Sequence, residues 1–141
     1  MSRAGLEKLT VSLTRLTLTP ITNGDMMTHS GSCHCGRIAF TVEGVFTSGM
    51  DCNCSLCRRR GGLLAFVPRE AMVLQTPEAN LSTYTFNRHA IQHHFCAICG
   101  IAPYGDGKAR DGAPVAAINL RCLPDLDLEA LTITKVDGKS F

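Results

Sequence analysis

Three cysteines within six residues, Cys52-Asn53-Cys54-Ser55-Leu56-Cys57, constrain this chain more than any other feature. A disulfide needs two facing Cβ vectors and gains nothing from a third thiol in the same loop. A hydrophobic core gains little from clustered sulfur. A divalent metal does use such a loop, because three soft ligands can occupy three corners of a zinc tetrahedron. A site closed by a fourth protein ligand is structural, whereas a site with a free corner can be catalytic.

The other cysteines extend the argument. Cys33-His34-Cys35-Gly36 and Cys96-Ala97-Ile98-Cys99-Gly100 are two pairs, each followed by glycine, and Cys122 stands alone. Glycine after a ligand allows positive φ, so that backbone N–H groups can turn toward the thiolates. The matching pairs are expected to share one metal through Cys33, Cys35, Cys96 and Cys99, closing a loop of more than sixty residues. Coordination energy at such a site becomes folding energy. For Cys52, Cys54 and Cys57 the spacing leaves two readings open. Cys122 or a histidine completes a second closed site, or the fourth corner takes water or a substrate thiol.

Eight cysteines also raise the alternative of a secreted disulfide scaffold. The Cys-x-Cys spacings and the lack of a convincing signal peptide argue for metal binding instead. Reduced thiolates imply a reducing compartment, most simply the cytoplasm. The 141 residues, 45% of them apolar, suffice for one domain with a core. No apolar run approaches the ~20 residues a spanning helix needs. The formal charge of +2 counts every thiol as neutral. Seven thiolates with two zinc ions would bring it close to zero, so the charge is no argument for nucleic acid.

Residues 1–26 differ in kind, being rich in Thr, Ser and Leu. They read as a dispensable N-terminal extension, with an added strand or a targeting segment as alternatives. The zinc-type domain is expected over residues 27–141. Alternating Ile38, Phe40 and Val42 read as a half-buried strand, and further short strands are expected at 45–51, 63–67, 72–75, 81–86, 91–95, 115–120 and 131–136. Pro124 to Leu131 is the best helix candidate, and Gly105, Gly107 and Gly112 suggest a long loop. The pattern as a whole predicts a mainly β domain of antiparallel sheets.

Several side chains near the sulfurs have both a plain and a functional reading. Arg58, Arg59 and Arg60 read first as a solvated turn, and second as partners for a substrate carboxylate. His34 reads as a bystander. His93 and His94 lie on opposite faces of a strand, one in the core and the other exposed, with a catalytic role as the second reading of either. Cys122 reads as an ordinary buried thiol.

At these residues the chain resembles the glutathione-dependent formaldehyde-activating family, which includes centromere protein V. The likeness runs from about Ser30 to Ser140. It is carried by Gly31-Ser32-Cys33-His34-Cys35-Gly36, Cys52-Asn53-Cys54-Ser55-Leu56-Cys57-Arg58 and Phe95-Cys96-Ala97-Ile98-Cys99-Gly100. Asn119-Leu120-Arg121-Cys122-Leu123 and Asp137-Gly138-Lys139-Ser140 also look like family segments. The resemblance implies stacked antiparallel sheets in a β-tent (Mss4-like) fold. It implies a structural zinc on Cys33, Cys35, Cys96 and Cys99, and a more labile catalytic zinc on Cys52, Cys54 and Cys57. It also implies a carbon–sulfur lyase that joins glutathione and formaldehyde reversibly, with a small thiol and an aldehyde as partners, and a place for Asn119 near the metal pocket. The other reading is a non-catalytic zinc-stabilised β module that binds a protein or nucleic acid.

Overall fold

In this computed structural model residues 27–140 are described, and the expectations for residues 1–26 lie outside them. Strands β1 (Met27–Ser32), β2 (Ala39–Gly44) and β5 (Met72–Leu74) form a small antiparallel sheet in the order β1–β2–β5. The larger sheet takes the remaining strands. They are β3 (Ser48–Cys52), β4 (Leu64–Pro68), β6 (Ser82–Tyr84), β7 (Gln92–Phe95), β8 (Tyr104–Lys108), β9 (Pro114–Asn119) and β10 (Thr132–Val136). Its order is β10–β3–β4–β9–β8–β7–β6. The mainly β architecture expected from the strand periodicity is therefore present.

One pairing departs from the antiparallel expectation. β10 runs parallel to β3, with Val136 opposite Cys52. Parallel strands leave the sheet at the same end. This register brings the turn after β10 onto the cysteine loop that follows β3.

The large sheet has two faces of different character because side chains alternate along each strand. Ile118 lies opposite both Ala65 and Tyr104, Tyr104 opposite His94, and His94 opposite Thr83, so these residues share one face. That face packs on the small sheet: Phe40, Val42, Met72, Ala116, Ile118 and Leu120 form one buried cluster with Tyr104. The Phe40 and Tyr104 rings lie 6.0 Å apart. Phe66, Ala117, Gly105 and His93 are aligned on the opposite face, where Phe66 remains half-exposed.

Two local expectations are corrected. Gly105 and Gly107 lie within strand β8, not in a loop. A Cβ at Gly105 would stand 2.9 Å from the Gln92 carbonyl oxygen, so glycine here permits close strand approach. The 124–131 segment forms only a 3-10 turn, Leu128–Ala130. Asp127 Oδ1 accepts the Glu129 N–H at 3.1 Å, a local bond that satisfies the backbone without a longer helix. The short helix α1 (Cys57–Arg60) has Leu56 at its N-cap position and no side-chain cap.

A polar chain ties the inner face together. Thr83 Oγ1 meets His94 Nδ1 at 2.9 Å, and His94 Nε2 meets Asp106 Oδ2 at 2.8 Å. Asp106 Oδ1 accepts from Arg69 Nε at 2.7 Å, and Arg69 also donates to the Met72 carbonyl at 2.8 Å. Partial burial works against the Asp106 charge. The hydrogen bond from His94 and the Arg69 guanidinium outweigh it and hold the carboxyl below its ordinary range. A depressed carboxyl pKa stabilises the fold above the group's usual pKa, and that contribution is lost as pH falls through the lowered value. Asp106→Ala is therefore expected to cost about 2 kcal/mol at pH 7, leaving buried His94 without its acceptor. Urea unfolding of wild type and variant checks this, and the gap between them should narrow at about pH 3.

Candidate metal centre

The four paired thiols meet between the two sheets. Cys33 and Cys35 lie in the turn between β1 and β2, and Cys96 directly follows β7. The sulfur of Cys35 lies 3.8 Å from that of Cys33 and 3.6 Å from that of Cys96. All four sulfurs, with Cys99, fall within 4.8 Å of one another. A tetrahedron with Zn–S arms of about 2.3 Å has edges of about 3.8 Å, so this donor set fits zinc. All eight cysteines are free thiols in this structure.

The two turns that carry these ligands are built alike. The Cys33 N–H donates to the Ile38 carbonyl, and the Cys96 N–H to the Ile101 carbonyl, both at 2.9 Å. Each turn reverses at a glycine with positive φ, +86° at Gly36 and +82° at Gly100. Backbone N–H groups then face sulfur: Ile38 donates to Cys33 Sγ at 3.3 Å and Cys99 to Cys96 Sγ at 3.5 Å. Backbone donors from Ile101, Cys35 and His34 pull the Cys99 thiol down to about 6. His34 itself is exposed and takes part through its backbone. Its side chain has no role in the cluster.

The second cluster is Cys52, Cys54 and Cys57, again with all sulfurs within 4.8 Å of one another. Among the described residues, no Cys, His, Asp or Glu adds a fourth ligand atom to it. Cys122, the alternative fourth ligand, is buried elsewhere. Burial, and then the charges of Cys33 and Cys99, push its thiol up to about 11. The Cys54 N–H donates to Cys52 Sγ at 3.4 Å and the Cys57 N–H to Cys54 Sγ at 3.3 Å. Burial, then the neighbouring Cys54 and Cys52 sulfurs, push the Cys57 thiol up to about 12. Three thiolates this close repel, so a cation is what allows the set to ionise together.

The turn after β10 closes over this loop. Asn53 Nδ2 donates to Asp137 Oδ1 at 3.0 Å, while Asn53 Oδ1 accepts the Lys139 N–H at 3.0 Å. The Ser140 hydroxyl donates to Asp137 Oδ2 at 2.7 Å. Gly138 sits against the Cys52 sulfur so closely that a Cβ would collide with it, and would stand 3.1 Å from the Cys54 Cβ. Asn53, a mere spacer in the cysteine loop when read from sequence, is thus the residue that joins the two loops. Residue spacing carries no sign of a bond across more than eighty positions, so only the family-like closing segment hinted at it.

The triplet lines a cavity of about 940 Å³ whose floor is the outer face of the large sheet. Four cations line it, Arg60, Arg88, Arg110 and Lys139, and no carboxylate among the described residues does. The three consecutive arginines separate here. Arg58 is exposed, and Arg59 donates to the Ser55 carbonyl of its own turn at 2.7 Å. Arg60 turns into the cavity with its guanidinium 5.9 Å from the centre of the Phe95 ring. Burial lowers the pKa of Arg60. His93 and His94 take opposite faces as expected: His94 is in the core, and His93 lines the cavity. Burial, then the charges of Arg60 and His94, hold the His93 imidazole below its usual 6.5. Asn119 also lines the cavity, but its amide is engaged locally, accepting from the Arg121 N–H and donating to the Ala102 carbonyl, each at 3.1 Å. A shallower hollow of about 620 Å³ on the same sheet, near Glu43 and Glu70, holds no cysteine.

These features define a class: a small two-sheet β protein with one four-thiol cluster, one three-thiol cluster and a cation-rimmed cavity at the latter. The chain belongs to the glutathione-dependent formaldehyde-activating enzyme family, whose sequence profile matches residues 28–132. It is also similar to a Rhodobacter sphaeroides protein of known crystal structure, at 28% identity and a TM-score of 0.64. That match covers 77% of this chain and 100% of the other. No helix among the described residues is long and apolar enough to cross a membrane.

Gly138→Ala tests the contact between the closing turn and the triplet. The added methyl should push the turn away, lowering stability by about 1–3 kcal/mol. Cys52 should then be alkylated by iodoacetamide faster than in wild type, read by peptide mass spectrometry. Unchanged alkylation would show that the loop absorbs the methyl without opening.

Proposed function

We propose that the protein is a zinc enzyme with two ions per chain, which forms and cleaves the carbon–sulfur bond of a thiol–aldehyde adduct of the glutathione–formaldehyde type. The observation that carries this reading is the three-thiol cluster, short of a fourth protein ligand and opening onto a cavity. The family's own description supports the substrate class. In this reading Cys33, Cys35, Cys96 and Cys99 hold a structural zinc, and Cys52, Cys54 and Cys57 hold the catalytic one.

A zinc ion on the triplet would supply a coordination position that favours the thiolate form of an incoming thiol. The chain's own residues do the rest. Arg60, Arg88, Arg110 and Lys139 offer guanidinium and ammonium donors to the carboxylates of a substrate such as glutathione. Holding that anion fixes its sulfur near the triplet, and proximity of this kind is worth several orders of magnitude in rate. His93 stays neutral near pH 7 because its pKa is lowered, so it can accept the thiol proton and return it to the former carbonyl oxygen. Sulfur adds to the carbonyl carbon, the C=O π bond opens, and the proton ends on oxygen. The reverse path releases thiol and aldehyde.

X-ray absorption at the zinc edge, which averages over both ions, should show about 3.5 sulfurs and about half a lighter atom per zinc. Exchange NMR of glutathione with formaldehyde should show acceleration by the zinc-loaded protein, lost in Cys54→Ala and reduced at least about tenfold in His93→Gln. Two four-sulfur sites, or exchange no faster than without protein, would instead favour a non-catalytic zinc module that binds a protein or nucleic acid.

A further inference from the structure

We propose that the cavity selects an aldehyde carrying an apolar substituent about the size of a benzyl group, presented as the adduct of an anionic thiol, in preference to formaldehyde. This rests on the carbon–sulfur reading above and sharpens its substrate class.

The argument starts from what the floor is made of. Phe66 is 50% exposed, Ile91 41% and Ile101 38%, and all three line the cavity that the triplet opens onto. Met50 and Leu64, which face each other across β3 and β4, lie on the same floor. Contiguous exposed apolar surface of this kind marks a binding surface more often than chance. Formaldehyde has one carbon and two hydrogens and cannot cover it. Glutathione brings two amides, two carboxylates and an ammonium, and no apolar side chain.

The rim and the floor therefore ask for different parts of one ligand. The cations fit the carboxylates of the thiol, and the triplet fits its sulfur. The reacting carbon is bonded to that sulfur, so its substituent is the part left to lie over Phe66 and its neighbours. An aromatic ring can stack on Phe66, an arrangement worth more than its buried area alone. The cavity, at about 940 Å³, is near the upper end of the roughly 300–1,000 Å³ typical of sites for drug-sized ligands. The reaction needs no further reagent. The thiol S–H adds across the C=O bond, a C–S bond forms, the π electrons move to oxygen, and oxygen takes the proton.

The test compares glutathione with phenylacetaldehyde and with formaldehyde on the full zinc-loaded chain. Exchange NMR gives kcat/KM for each aldehyde, taken relative to its uncatalysed rate. Phenylacetaldehyde is expected to be preferred by roughly tenfold or more, the scale of apolar discrimination in a pocket. Phe66→Ala should shrink that preference severalfold; its ring is half-exposed, so the fold does not depend on it. Acceleration of both aldehydes with no preference, or with formaldehyde preferred, overturns this inference and leaves the proposed reaction standing. A preference that Phe66→Ala leaves unchanged also overturns it. Acceleration of neither aldehyde removes the proposed reaction and this inference together.

Discussion

Crowded sulfur is the constraint on which the rest of this structure depends. Seven thiols stand in two groups, each within 4.8 Å of its partners. Backbone N–H groups lean toward the sulfurs and favour charge, while neighbouring thiolates oppose it. The opposition is visible within the triplet, where Cys57 is pushed up to about 12 by burial and by its two neighbours. On the zinc reading proposed above, a divalent cation at each site would resolve the conflict. At the four-thiol site that ion would also join the turn between β1 and β2 to the end of β7, so that binding and folding would be the same event there.

The triplet is placed by a different device. β10 returns beside β3 in parallel, so both strands end at one edge of the sheet. The amide of Asn53 then grips the closing turn from both sides, and Gly138 lets the turn settle on Cys52. The closing turn covers one flank of the cluster and leaves the other open to the cavity. Strand alternation completes the arrangement. His94 and Asp106 stabilise the inner face, while His93, next in sequence, serves the outer one. One short strand thus sends one histidine into the core and its neighbour into the cavity.

Much of this was legible in the residues, for identifiable reasons. Cysteine spacing is local, and the two ligand turns require glycine at Gly36 and Gly100, so the pairing of these turns could be read directly. Period-two patterning placed Phe40, Val42 and the 115–120 strand correctly. The misreadings have a common cause in tertiary contact. Gly105 and Gly107 suggested a loop because glycine usually marks one, yet Gly105 answers to the close approach of Gln92 from the next strand. Pro124 to Leu131 looked like a helix, but Asp127 caps a single turn and the chain moves on to β10. The cationic rim was legible only at Arg60, because Arg88, Arg110 and Lys139 come from separate loops that no local pattern connects.

The charge of the triplet also bears on where selectivity resides. Three thiolates around a divalent ion leave a net negative centre, which is a weak Lewis acid compared with a zinc held by neutral imidazoles. Such a centre polarises a carbonyl poorly and, taken alone, repels an anionic thiol. The surrounding cations would offset that repulsion, among them Arg60, whose guanidinium lies over the Phe95 ring. In the proposed reaction, catalysis would then depend less on the metal's pull than on the walls that bring sulfur and carbon together. An apolar floor beside a cationic rim lets those walls choose among aldehydes, a choice the metal ligands alone could not make.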